Sequence, residues 1–292
     1  MKPSRTALRL LGRRALSFAL VVFTSSVIFG ALVWTVPGAS ERALEAGSES
    51  FLDWLVSFWT GVFTGDLGRS YRGIPVHEMV WRGALRSLPL IGAALVLSLG
   101  TGALLVLVVG DRLGAMGRLL RGMLHALSLC PVFLLGYLAL VLFAVPPEGP
   151  RQSFAAVVIL AMGDGMLSDV LLGLGSEYRR LRERDFIQSA RLRGTRVWAH
   201  VLAHMALPVA QIAASRTAWL IGGVLVLEMV LGIQGIGLIG YRAADTADLP
   251  LLVAITVFVT ALVAGASLSV DVLRVVVDPR ARKDRRSAGR AA

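Results

Sequence analysis

The sequence predicts an all-α polytopic membrane protein with six transmembrane helices, and three observations lead there. Mean hydropathy over the 292 residues is +0.71. Six apolar runs exceed 18 residues, at 15–36, 87–109, 124–145, 154–174, 208–231 and 250–277, each long enough to cross a hydrocarbon core as a helix. The basic residues crowd into alternate connections. Residues 1–14, 110–123, 176–206 and 274–292 hold 22 of the 30 Lys and Arg, while Arg216 lies inside a span. By the positive-inside rule both termini and the 176–206 connection face the cytoplasm. The chain therefore divides into a cytoplasmic segment at 1–14, a six-span domain at 15–277 and a basic cytoplasmic tail at 278–292.

The first run follows Lys2, Arg5, Arg9, Arg13 and Arg14 with no acid among them. It is long and lacks a small-residue cleavage site, so it is expected to stay as a span. The connection at 37–86 carries Phe51, Leu52, Trp54, Leu55, Phe58, Trp59 and Val62, the spacing of an amphipathic helix in the membrane interface. Gly65-Asp66-Leu67-Gly68-Arg69-Ser70 and Ile74-Pro75-Val76 come next, with glycines suited to turns. Spans two to five, rich in Gly, Ala and Ser, are expected to form the packed core.

The fourth span holds Asp164, in Met162-Gly163-Asp164-Gly165, and Asp169 near its end. An ionisable group at membrane depth needs a cavity or a partner. Asp164 is thus either a polar position on a pathway or the partner of Arg216, while Asp169 is expected to reach the cytoplasmic headgroups. The following connection, from Asp185 to Pro208, reads as a short helix with Phe186, Ile187 and Ala190 on one side. Gly194 ends that helix, Thr195 caps a second, and Val197, Trp198, Val201, Leu202 and Met205 make an apolar stripe. Pro208 suits the entrance to the fifth span. The shape fits a groove on a soluble partner.

From the end of span five toward span six runs Glu228-Met229-Val230-Leu231-Gly232-Ile233-Gln234-Gly235-Ile236-Gly237-Leu238-Ile239-Gly240. Its literal G-x-G-x-x-G lacks the strand and acid of a dinucleotide fold. A turn and short re-entrant segment explains the glycines better, serving either an external gate or close packing.

These stretches resemble the membrane-spanning subunits of ABC importers, in the branch serving dipeptides, oligopeptides and nickel. Gln188, Ser189, Ala190 and Gly194 occupy the E-A-A-x-x-x-G positions of the cytoplasmic EAA loop, with Gln188 and Ser189 replacing Glu and Ala. Asp185-Phe186 and Ser189-Ala190-Arg191 look like that branch. So do Gly65 to Ser70, the Glu228, Val230, Gly235 and Gly237 pattern, Asp248-Leu249-Pro250 and the Asp278-Pro279-Arg280-Ala281-Arg282 exit. The resemblance implies six helices, an external re-entrant segment and a cytoplasmic coupling helix pair in a bacterial cytoplasmic membrane. Two ATPase subunits, a second permease and an extracytoplasmic solute-binding protein are implied as partners. Asp185, Gln188, Ser189, Ala190, Arg191, Arg193 and Gly194 would meet an ATPase, Arg191 and Arg193 contacting either acidic groove residues or lipid headgroups. Asp164, Arg216, Glu228, Gly235 and Gly237 are the pathway or gate candidates.

The only lysines are Lys2 and Lys283, so no G-x-x-x-x-G-K-[ST] exists and ATP with its Mg would sit on partner subunits. The subunit itself is expected to be non-catalytic and to bind no cofactor. His77-Glu78 fails as a zinc-protease helix because Trp81 stands at the second histidine position, and His200 with His204 lacks a third ligand. A net charge of +11 would ordinarily raise nucleic acid as a partner. Confined to cytoplasmic connections, it instead meets anionic lipid. Cys130 is the one cysteine and excludes an internal disulfide framework. An ion-coupled carrier acting without an ATPase, with Asp164, Glu228 or Asp271 moving protons, is the alternative. Intramembrane aspartyl proteolysis lacks its G-x-G-D and Y-D patterns.

Overall fold

The structure is a computed structural model and describes residues 5–41, 49–109, 119, 122–126, 128–143, 149–185, 187, 189 and 197–277. Among these residues the regular structure is helical: α1 (Arg5–Trp34), α2 (Phe51–Thr64), α3 (Val76–Val109), α4 (Val132–Phe143), α5 (Pro150–Met162), α6 (Met166–Arg182), α7 (Val197–Leu231), α8 (Ile236–Asp245) and α9 (Leu249–Val277). Four segments are long and apolar enough to cross a membrane, namely Gly12–Trp34, Val76–Val106, His204–Leu231 and Leu249–Leu273. The pair α5 and α6 makes a fifth crossing if counted together, bent by 51°.

The predicted fourth span therefore exists as two pieces. Gly163 leaves α5 with extended backbone, Asp164 has φ +50, and Gly165 opens α6 at φ +75. Three residues that leave helical geometry together cannot be passed over by an α-helix, and the apolar run hides them. The predicted third span is represented by α4, whose 12 residues reach about 18 Å, short of a hydrocarbon core of about 30 Å. Residues 127, 144 and 145 of that run lie outside the described residues.

The entrance expected at Pro208 is also different. Helix α7 begins at Val197 and runs through Pro208 without a second start, so the amphipathic stripe and the fifth span are one helix of 35 residues. Proline removes one backbone donor there, a loss that helices tolerate in membranes when neighbours re-satisfy the freed carbonyl.

Spans two to five do form the main core. Leu90 and Ala94 of α3, Val132 and Ala139 of α4, Ala156 and Leu160 of α5, Val170 and Leu174 of α6, and Val224 and Leu227 of α7 are buried together. Small residues bring the helices close: a Cβ on Gly102 would lie 2.5 Å from the Val170 side chain. A second cluster closes one end of the bundle, where Val33, Trp54, Phe58, Val76, Val80, Ile236, Leu249 and Val253 pack together.

Helix α2 is the expected amphipathic helix. Ser50 caps it by accepting from the Asp53 amide, and Gly65 ends it at φ +85. Its buried face, Trp54, Leu55 and Phe58, covers α1, and Trp59 Nε1 donates to Ser26 Oγ at 3.1 Å. Leu52, Val56 and Phe63 stay exposed, as a helix lying in an interface requires. At the far end α1 lies along α9, and Arg14 pairs with Asp271 at 3.3 Å.

Gly102→Ala is expected to cost about 1–3 kcal/mol through overpacking against Val170. Gly100→Ala, where a Cβ meets nothing within 4 Å, should leave stability unchanged or slightly higher. Thermal unfolding of the two variants in detergent checks the contrast.

Candidate functional site

Three acids placed at helix starts organise the parts of the bundle that depart from plain spans. The first is Glu228, one turn before the end of α7 and buried to 1% exposure. The chain leaves α7 through Gly232 at φ +73, returns the Ile233 amide to the Glu228 carbonyl at 2.9 Å, and starts α8 at Ile236. The carboxylate sits under that new start. Gly237 N–H donates to Oε2 at 2.6 Å, and the Ser87 hydroxyl of α3 donates to Oε1 at 2.5 Å. Ser87 Oγ in turn accepts from the Ile236 amide at 2.9 Å. One carboxylate and one hydroxyl from two other helices thus cap the exposed donors of α8, where the helix dipole also favours negative charge.

This geometry explains the glycines that the sequence singles out. A Cβ on Gly235 would fall 2.0 Å from Glu228 Oε1, and one on Gly237 would fall 2.5 Å from the Leu225 Cα. The turn and short helix stand where a re-entrant segment is expected, folded over α3, α7 and α9.

The second acid is Asp248, which the sequence marks as part of a motif without a role. Its carboxylate is 2% exposed and accepts from Ser70 Oγ at 2.5 Å, from the Tyr71 amide at 3.0 Å and from the Leu251 amide at 3.3 Å. It therefore caps α9 and fastens the turn after α2 to it. The cap itself was legible, since an Asp before Leu-Pro and an apolar run is a helix start. Its serine partner, 178 residues earlier, carries no such signal.

Asp164 is the third. Its backbone amide donates to the Cys130 carbonyl at 3.2 Å and Gly165 N–H donates to the Ser128 carbonyl at 2.5 Å. In return Oδ1 accepts from the amide of Val132, the first residue of α4, at 3.0 Å. The break in the fourth span and the start of α4 satisfy each other.

Arg216 does not pair with Asp164. Its guanidinium lies 2.5 Å from Asp169 Oδ2, so the expectation that Asp169 reaches the headgroups is corrected too. Asp169, in the first turn of α6, meets α7 where Arg216 stands, and the two charges neutralise each other between helices.

Of the candidate coupling residues, Gln188, Ala190, Arg191, Arg193 and Gly194 lie outside the described residues, as do Phe186, Thr195, the exit at 278–282 and the rest of the tail. Asp185 and Ser189 are exposed, and Ile187 between them is buried to 1%. Helix α6 ends just before them with Arg179, Arg180 and Arg182 in its last turn, which suits both the helix dipole and anionic headgroups. Among the described residues no three His, Cys, Asp or Glu are grouped as a metal site.

Long apolar helices, a bent crossing and capped segments folded at one end define the class: a multi-spanning helical membrane protein. The model of the family of binding-protein-dependent transport system inner membrane components matches residues 102–283, and the chain belongs to that family. It is 24% identical over 248 residues to a probable peptide ABC transporter permease of Sinorhizobium fredii, covering 78% of this chain and 79% of that protein. Against a dipeptide transport system permease of Lactococcus lactis subsp. cremoris it is 27% identical, covering 76% and 77%. A putative peptide permease of Brucella ovis is 27% identical over 170 residues, and the chain spans about half of it, 53% of its length against 51% of this chain.

Ser87→Ala would leave the Ile236 amide and one Glu228 oxygen without their partner, at about 1–3 kcal/mol for each buried group. Ser98→Ala, whose hydroxyl bonds only the Leu95 carbonyl of its own helix, should cost well under that. Unfolding midpoints in detergent for the two variants give the comparison.

Proposed function

We propose that this chain is the transmembrane permease subunit of an ATP-driven ABC importer for peptides or a related small solute such as nickel. It would cross a bacterial cytoplasmic membrane six times, with α4 in the third crossing and both termini in the cytoplasm. The carrying observation is the continuity of α7. Its 35 residues, about 52 Å at 1.5 Å per residue, run from the coupling connection to the Glu228 clasp without interruption. A push delivered to the start of α7 at Val197 would reach the α8 segment through a single helix.

In this reading the α2 and α8 end faces outward, toward an extracytoplasmic solute-binding protein. Asp185, Gln188, Ser189, Ala190, Arg191, Arg193 and Gly194 engage a partner ATPase, which binds ATP and Mg. Two such ATPases and a second permease complete the machine. ATP closure moves the ATPase groove, α6 and α7 carry the movement, and the Asp169–Arg216 pair keeps them moving together. Glu228, Gly235 and Gly237 hold the external gate, and Asp164 lies on the pathway.

Gly194→Asp is expected to abolish ATP-driven uptake in proteoliposomes while leaving membrane insertion and complex assembly intact. Wild-type uptake by that variant would remove the coupling assignment. Uptake by the purified chain alone, driven by a proton gradient, would instead select the ion-coupled alternative.

A further inference from the structure

Charges at membrane depth need partners, and the described acids within the spans find theirs with one exception. Both Glu228 oxygens accept hydrogen bonds, Asp169 holds Arg216, and Asp271 holds Arg14. Asp164 uses Oδ1 for the Val132 amide, and among the described residues nothing donates to Oδ2. Arg216, the partner the sequence offers for Asp164, is already committed to Asp169. By contour Asp164 lies about 21 Å from the start of α5 and about 27 Å from the end of α6, near the middle of the crossing.

Asp164 is exposed and lines an open cavity of about 370 Å³ between the α5–α6 break, α4 and α7, with Oδ2 beside Gly223 on its wall. Phe133, Trp219, Gly222, Gly223 and Val226 line it with Asp164. A Cβ on Gly222 would meet nothing within 4 Å, and one on Gly223 would stand 3.7 Å from Asp164 Oδ2, so glycine keeps the approach to the carboxylate open. Phe133 is 53% and Trp219 66% exposed, so both rings present surface at this groove. Aromatic faces attract cations. A single carboxylate oxygen with aromatic walls offers too few oxygens for a divalent metal. It offers what a hydrogen-bonding monovalent cation wants.

We propose that Asp164 and the aromatic walls of this groove form a transit site for a primary ammonium group on the cargo, such as the free amino terminus of a peptide. This rests on the permease reading above. Apolar walls then accept varied side chains while the ammonium fixes one end.

The test uses the complete importer, with its partner permease, ATPases and binding protein, in proteoliposomes. Uptake of trialanine and of N-acetyl-trialanine is measured for wild type, Asp164→Asn and Asp164→Glu. Asparagine keeps an acceptor for the Val132 amide and tolerates the positive φ, so the variant is expected to fold. Asp164→Asn should raise the apparent KM for trialanine about tenfold, the scale of one lost charge-assisted hydrogen bond. Asp164→Glu should stay within about twofold of wild type if the charge is what matters. Any uptake of the acetylated peptide, which carries no ammonium, should be unchanged by either variant. Wild-type KM for trialanine in Asp164→Asn overturns the site. Equal loss for both peptides, or loss of the partner permease during purification, also overturns it and assigns Asp164 to structure or to a subunit contact. A wild-type complex whose ATPase responds to its binding protein yet imports neither peptide overturns the peptide reading itself, and the site with it.

Discussion

In hydrocarbon a helix cannot begin without a partner for its first amides, since no water is present to take them. This chain begins α4, α8 and α9 next to polar backbone breaks, and each start receives an acid from outside its own helix or immediately before it. Asp164 serves α4, Glu228 with Ser87 serves α8, and Asp248 serves α9. The irregular parts of the fold depend on these three caps. Because Glu228 and Asp248 also accept from hydroxyls on distant segments, each cap doubles as a tether between elements that the sequence separates widely.

The caps sit at the places where a permease would need controlled movement. Two of them secure the end closed by α2 and α8, and the third secures the bend of the fourth span. Between them run α6 and α7, tied by one ion pair and by the packing of Leu174 and Val224 into the same core. Regular helices supply stiffness, and the capped breaks supply places where stiffness is interrupted.

Four crossings, the bent fifth, the amphipathic helix after the first span and the core formed by spans two to five were legible in the sequence, because each is a periodic or compositional signal spread over many residues. Glu228, Asp164, Arg216 and the glycines of the α8 turn were visible as charges and glycines out of place. Their partners were not. Ser87 and Ser70 look like any serine, and 141 and 178 residues separate them from the acids they bond. The break at Gly163-Asp164-Gly165 was masked by apolar neighbours on both sides. Pro208 misled in the opposite direction, since a membrane helix continues through a proline that would often mark a boundary in water.

The Asp169–Arg216 pair bears on how the chain is made as well as on how it works. An arginine at the centre of a lone inserting helix costs about 2.5–3.5 kcal/mol, and an aspartate a similar amount. During synthesis α6 emerges first with its acid, and α7 brings the matching base only after the connection between them has been made. The two segments are therefore best released into lipid as a hairpin, held at the translocon until their opposite charges meet.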